Sequence, residues 1–200
     1  MIEVKICGLA RREDIEAAAD AGADYVGIHL DPDSPRTVSM DAARDLADFA
    51  DGLGLKAVAV ISDPDDDAIE ALSGAPGFQF LQLNGAETPQ EAERIMEETG
   101  LRIIKALNAA TPRELARRDA YDAVHAFVLN PKEEWGILRG ARIARPWFLA
   151  GGLTPENVAD AVHASGAMMV EVTTGVETEP GKKDAALMRA FVEAAQEGEV

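Results

Sequence analysis

Ala57-Val58-Ala59-Val60-Ile61 is an unbroken apolar run, bounded by Lys56 on one side and by Ser62-Asp63-Pro64 on the other. An apolar run this short and without polar alternation fits a parallel strand covered on both faces, because a half-exposed strand would place a polar residue at every second position. Ile103-Ile104-Lys105-Ala106-Leu107 repeats the pattern with one lysine. Outward from these two, strand-like runs begin near Ile2, Asp24, Leu55, Phe78, Leu101, Ala123, Trp147 and Met168, most of them followed by Ala-rich, charged stretches of helical period. Successive starts lie roughly 21 to 31 residues apart, the length of one strand, a three-turn helix and two short loops. Eight such units predict an α/β chain folded as one (β/α)8 TIM barrel domain over residues 1–200, with an open doubly wound sheet as the alternative.

Helix starts are marked by an N-cap residue followed by proline at Asp63-Pro64, Thr88-Pro89, Thr111-Pro112 and Thr154-Pro155. Asp65-Asp66-Asp67 reads as the acidic first turn of the third helix. Between Asn130 and Pro146 the chain must supply loop, helix and return while Gly136 and Gly140 interrupt it, which predicts a short or broken sixth helix. Gln196 to Val200 reads as a fraying polar tail.

Composition narrows the function. The 36 acidic residues against 19 Lys and Arg give a net charge of −17, which repels a phosphate backbone and excludes general nucleic-acid binding. One cysteine excludes an intramolecular disulfide framework, and no apolar run is long enough to span a bilayer. The start, Met-Ile-Glu-Val-Lys, has no basic signal region, so the expected location is cytoplasmic and no membrane partner is expected.

Reactive groups of such a barrel belong at the carboxyl ends of its strands. The polar residues predicted there are Lys5, Cys7, His29, Asp31, Asp63, Gln82, Asn84, Asn108, Asn130, Glu171, Thr173 and Thr174. Cys7 precedes Gly8, so its thiol reaches the rim, where a cation or helix end would favour the thiolate; a buried structural cysteine is the equal alternative. Gly151-Gly152-Leu153-Thr154-Pro155 after strand 7 and Thr174-Gly175 after strand 8 offer free backbone N–H groups, the first with a helix end behind it, and together predict a phosphate site at Gly151, Gly152, Thr174 and Gly175. Arg36, in Ser34-Pro35-Arg36, is either a carboxylate clamp or a solvated loop residue. Cys7, His29, His125 and His163 lack metal-ligand spacing, so no metal is expected; His163 reads as exposed, and Trp135 and Trp147 as packing residues.

Four blocks resemble the phosphoribosylanthranilate isomerase family in order: Lys5-Ile6-Cys7-Gly8; Gly22-Ala23-Asp24-Tyr25-Val26-Gly27 running to Ser34-Pro35-Arg36; Gln82-Leu83-Asn84-Gly85-Ala86-Glu87; and Ala150 through Val158 continuing to Thr174-Gly175-Val176-Glu177 and Pro180-Gly181-Lys182-Lys183-Asp184. The resemblance implies an Amadori rearrangement in tryptophan biosynthesis that opens a ribose ring and moves a proton from C2, without a cofactor. It implies Cys7 as general base, Arg36 on the substrate carboxylate, and Lys5, Gln82 and Asn84 among the substrate contacts. The implied partner is a phosphorylated small molecule, and the implied assembly a monomer or homodimer. Departures from the family pattern fall on the acid side: an aspartate is expected where Asn130 stands, a histidine at Asn84, and an Asp with paired Ser at Glu171, Thr173 and Thr174. A glycine-rich loop is expected where Pro131 to Gly136 runs. Two readings follow. One is an isomerase whose acid is Glu133, Glu134, Asp31 or His29; the other is a paralogue that keeps the phosphate site for binding or for another phosphosugar reaction.

Overall fold

The computed structural model describes residues 1–132 and 134–198. Eight parallel strands close on themselves in sequence order: β1 Glu3–Cys7, β2 Tyr25–His29, β3 Lys56–Ile61, β4 Phe78–Leu83, β5 Arg102–Asn108, β6 Ala126–Asn130, β7 Trp147–Leu149 and β8 Met169–Val172. Closure is made by β1 against β8, with Val4 beside Val170 and Lys5 beside Glu171. The barrel leaves no edge in this sheet, which decides against the open sheet.

Around it lie α1 Arg12–Ala21, α2 Met40–Gly52, α3 Asp66–Leu72, α4 Pro89–Thr99, α5 Pro112–Leu115, α6 Val158–Ser165 and α7 Ala185–Glu197. Among the described residues the sixth unit has a 3-10 turn, Trp135–Leu138, and no helix, in keeping with its glycines, and a 3-10 turn Ala116–Ala120 prolongs the short α5. A two-stranded ribbon, β9 Glu177–Glu179 with β10 Lys182–Lys183, precedes α7.

Two of the four expected caps form. Thr88 closes a capping box with Glu91 ahead of α4, and Thr111 accepts from Glu114 N–H ahead of α5. The other two move downstream. Asp65, not Asp63, caps α3, and Asp63 instead adopts φ 45° while its carboxylate accepts from Ala86 N–H. Asn157 precedes α6, and Thr154-Pro155 forms the turn before it. The expected fraying at Gln196 is also corrected. Gln196 lies in the last turn of the docked α7, accepting from Ile2 N–H at 2.9 Å and donating to Ile2 O at 2.7 Å; Glu199 and Val200 lie outside the described residues.

The core has two compartments. Between barrel and helices lie the outward residues of the strands, such as Val4, Ile6, Ala57, Ala59 and Ile103, with Trp135 and Trp147 packed partly buried against them. Inside the barrel lie the alternate positions, among them Cys7, Tyr25, Val58, Val60, Phe80, Ile104, Val128 and Phe148. At the amino-terminal end Tyr25 meets Phe80 and Phe148 edge-on, with ring centroids 5.8 and 5.2 Å apart, contacts worth about 0.5–1.5 kcal/mol each. The aromatic plug closes that end, so polar groups gather at the other.

Candidate functional site

Inward positions step up each strand in twos. From the Tyr25 level β1 therefore presents Lys5 and then Cys7, β2 Gly27 and then His29, β4 Gln82 and then Asn84, and β8 Glu171 and then Thr173. Lys5 consequently lies deeper than the rim. It is fully buried, and its ammonium donates to Glu171 at 2.7 Å, to Gln82 at 2.8 Å and to Cys7 Sγ at 3.4 Å. Its three N–H groups are thus all engaged within the protein. Gln82 passes the network on by donating to Asn84 Oδ1 at 2.9 Å, and Asn84 is exposed.

Cys7 is buried rather than open at the rim. Burial pushes its thiol above the usual value, the Lys5 ammonium pulls it back, Glu171 pushes it further up, and Lys183 pulls it down. Gly27 leaves room for the sulfur, since a Cβ there would stand 2.5 Å from Sγ. His29 Nε2 lies 3.4 Å from Sγ on the same side. Burial, with the cations Lys5, Arg36 and Lys183 adding to it and Glu171 opposing, lowers the imidazole to about 4, so the ring is neutral near pH 7.

Arg36 is neither solvated nor free. Its Nε and Nη2 donate to Glu177 at 2.8 and 2.7 Å, a bidentate pair that holds the guanidinium over Gly8. Gly8 has φ 83°, and a Cβ there would overlap Arg36 Cδ. Lys183, from β10, donates to Glu177, Thr173 O and Cys7 O, so it fastens the ends of β1 and β8 to one another.

A cleft of about 540 Å³ opens over the ends of β4 to β8. Asn84, Asn130, Gly151, Gly152, Glu171 and Thr174 are among the residues that line it. Gly151 and Gly152 have φ 98° and 66°, and among the described residues no backbone carbonyl accepts from their N–H groups. Thr174 and Gly175 open a 3-10 turn, Thr174–Val176, where N–H groups have no acceptor within the turn. The two loops touch, because a Cβ on Gly175 would overlap Leu153 O. The expected helix end directly behind Gly152 is displaced: α6 starts at Val158, and Asn157 closes the intervening turn by donating to Gly152 O at 2.9 Å. Hydrogen-bond donors rather than a helix dipole therefore define this end of the cleft.

Asn130 presses against Gly151, whose missing Cβ leaves the space, and its Oδ1 accepts from Lys132 N–H at 2.9 Å. Of the residues read as substitute acids, Glu134 is exposed, and Asp31 accepts from Asp33 N–H within its own loop at 3.1 Å. Glu133 lies outside the described residues. Asn108 is exposed at the end of β5. His163 is exposed on α6, away from the barrel interior. No group of three or more His, Cys, Asp or Glu that could hold a metal ion occurs among the described residues.

Three residues escaped the sequence reading. Lys105 pairs with Glu87 at 2.9 Å and donates to Leu83 O and Gly85 O, holding the β4–α4 loop. It sits within an apolar run, where its polarity was the available signal. Lys183, in the fourth block of resemblance, and Arg117, which lines the cleft from the Ala116–Ala120 turn, come from outside the strand ends, and Arg117 carried no comparable signal.

The family model for N-(5'-phosphoribosyl)anthranilate (PRA) isomerase matches residues 4–194. The N-(5'-phosphoribosyl)anthranilate isomerase of Paramagnetospirillum magneticum is 41% identical over 212 residues, covering 98% of each chain. That alignment is longer than this chain, so the chain carries gaps relative to it. The enzyme of the same name from Paracoccus denitrificans is 39% identical over 206 residues, covering 96% of this chain and 95% of its own. A phosphoribosyl anthranilate isomerase solved in complex with reduced 1-(o-carboxyphenylamino)-1-deoxyribulose 5-phosphate superposes with a TM-score of 0.87 at 30% identity, covering 98% of this chain and 99% of that one. A structure of monomers generated from the dimeric enzyme of Thermotoga maritima has the same TM-score, identity and coverage. Among the described residues no helix is long and apolar enough to cross a membrane.

Proposed function

The chain belongs to the phosphoribosylanthranilate isomerase family and is an isomerase of tryptophan biosynthesis, and from that premise we propose how its own residues carry the reaction. The observation that supports the assignment of roles is the polar end of the barrel, where a cysteine wired to a buried lysine stands beside a cleft lined by Gly151, Gly152 and Thr174.

The substrate phosphate binds the N–H groups of Gly151, Gly152, Thr174 and Gly175, and the anthranilate carboxylate meets the side of Arg36 turned away from Glu177. With these ends held, the ring lies over Cys7. A proton drawn from solvent through the open cleft is taken up by the ring oxygen and opens the ribose to a C1 iminium, which acidifies the C2 hydrogen. Cys7 thiolate removes that proton, and the resulting enaminol tautomerises to the amino-ketose. Asn130, with Oδ1 held by Lys132, turns its Nδ2 donors to the ring oxygen; an amide orients that oxygen but has no proton to transfer at neutral pH. We read the protein as acting in the cytoplasm as a monomer or homodimer on a phosphorylated small molecule, without a cofactor.

The test is turnover of phosphoribosylanthranilate by the purified chain, followed by the change in anthranilate fluorescence, and absence of any turnover above the uncatalysed rate would overturn these roles. Two predictions accompany it. Asn130→Asp supplies a titratable acid whose pKa is raised by partial burial and the adjacent phosphate, and general acids contribute about a hundredfold to ten-thousandfold, so kcat should rise at least about tenfold. A variant no faster than wild type would show that another group protonates the ring oxygen. Inorganic phosphate should inhibit competitively, and the backbone amide resonances of Gly151, Gly152, Thr174 and Gly175 should shift most on its addition; shifts confined to other segments would remove the phosphate site from these loops.

A further inference from the structure

After β2 the chain folds back on itself, so that Val38 N–H donates to His29 O at 3.0 Å and Thr37 pairs with His29. The return carries Ser34 to the far side of the imidazole from Cys7. Ser34 Oγ lies 3.2 Å from His29 Nδ1, and His29 Nε2 lies 3.4 Å from Cys7 Sγ. Arg36 N–H donates to Ser34 Oγ at 3.2 Å, which fills one of the two acceptor sites of the hydroxyl and leaves its hydrogen available to Nδ1. A neutral imidazole that accepts at Nδ1 carries its proton on Nε2, facing the sulfur.

The sulfur needs that donor. Lys5 divides three N–H groups among Cys7, Gln82 and Glu171, and the contact with Cys7 is the longest of the three. Of the charged groups facing Cys7, Glu171 disfavours the thiolate, and Lys5, Lys183 and Arg36 favour it. Those facing His29 are Lys5, Arg36 and Lys183, which keep the ring neutral, and Glu171, which opposes them.

We propose that Ser34 and His29 form a positioning pair for Cys7: the Ser34 hydroxyl fixes the imidazole tautomer whose Nε2–H donates to Sγ, giving the sulfur a second donor beside Lys5 and favouring the thiolate. The inference deepens the reading of Cys7 as the base and rests on it for its bearing on catalysis. His29 acts through Cys7, so it is a positioning residue and not a catalytic one.

The experiment exploits the single cysteine of the chain. Ultraviolet thiolate absorbance against pH, taken as the difference from Cys7→Ser, reports Cys7 alone. His29→Val should move the midpoint up by about one unit, roughly tenfold less thiolate below the midpoint, because a hydrogen bond to the charged form favours it. Ser34→Ala should move it the same way by less, and His29→Gln, whose amide can still donate, should restore most of the shift. In the wild type, nitrogen-15 NMR should place the His29 proton on Nε2, a measurement that needs no folded variant. A midpoint that stays or falls in His29→Val, or a proton found on Nδ1, would overturn the proposal. Neither readout uses isomerisation. A wild type that shows both effects without turnover would therefore support the pair while removing Cys7 as the base.

Discussion

Cys7→Ser is expected to lower kcat for phosphoribosylanthranilate by at least about a hundredfold, with little change in the affinity for inorganic phosphate, because a general base typically contributes that much and serine is a far weaker one. The variant keeps the volume of the side chain nearly constant inside a packed interior, so Lys5, Gln82 and Glu171 can hold their places. Binding and chemistry then separate. The proposed phosphate contacts, Gly151, Gly152, Thr174 and Gly175, follow β7 and β8, whereas the proposed proton acceptor ends β1. Steady-state kinetics beside a phosphate titration make the measurement. A variant retaining more than about a tenth of the wild-type rate would place the essential base elsewhere.

Lys5→Met should destabilise the fold by about 3–5 kcal/mol, the usual cost of removing one partner of a buried ion pair. The cause is what remains. Glu171, with a side chain 9% exposed, would keep a carboxylate beside Cys7 with its cation gone, and Gln82 Oε1 would lose its donor. Lys5→Met combined with Glu171→Leu should recover much of the loss, since an apolar pair of similar volume carries no orphaned charge. Urea unfolding of wild type, both single variants and the double variant gives the coupling energy. A single-variant cost below about 1 kcal/mol, or a double variant as unstable as Lys5→Met, would show that the pair is not what sustains this layer.

How far the sequence was legible depends on whether a feature is local. The apolar runs of β3 and β5 declared buried parallel strands, and Gly136 with Gly140 declared the broken sixth unit, because both signals lie within one segment. Thr88 and Thr111 cap their helices as read. Asp63 and Thr154 do not, since a polar residue before proline also suits a turn, and Asp65 and Asn157 lay close enough downstream to take the position before the helix. At the site, a position near the carboxyl end of a strand singled out Cys7, Gln82 and Asn130. The depth of Lys5 was hidden, because depth depends on the stagger between β1 and β8. The grip of Glu177 on Arg36, across 141 residues of sequence, was likewise invisible to local pattern.

Lys183 holds the carbonyl of Cys7, and Glu171 neutralises Lys5, so the first strand is completed by residues from the last fifth of the chain. Synthesis proceeds from the amino terminus, and β1 therefore emerges long before its partners exist. Until β8 and the ribbon after it arrive, a lysine and a thiol destined for the interior have no counter-charge there, and water remains their better solvent. The nascent barrel is thus kept ajar at the β1–β8 seam until β8 and the ribbon have been made. A chain halted before Glu171 would carry the sulfur without Glu171 and Lys183, two of the charged groups that face it.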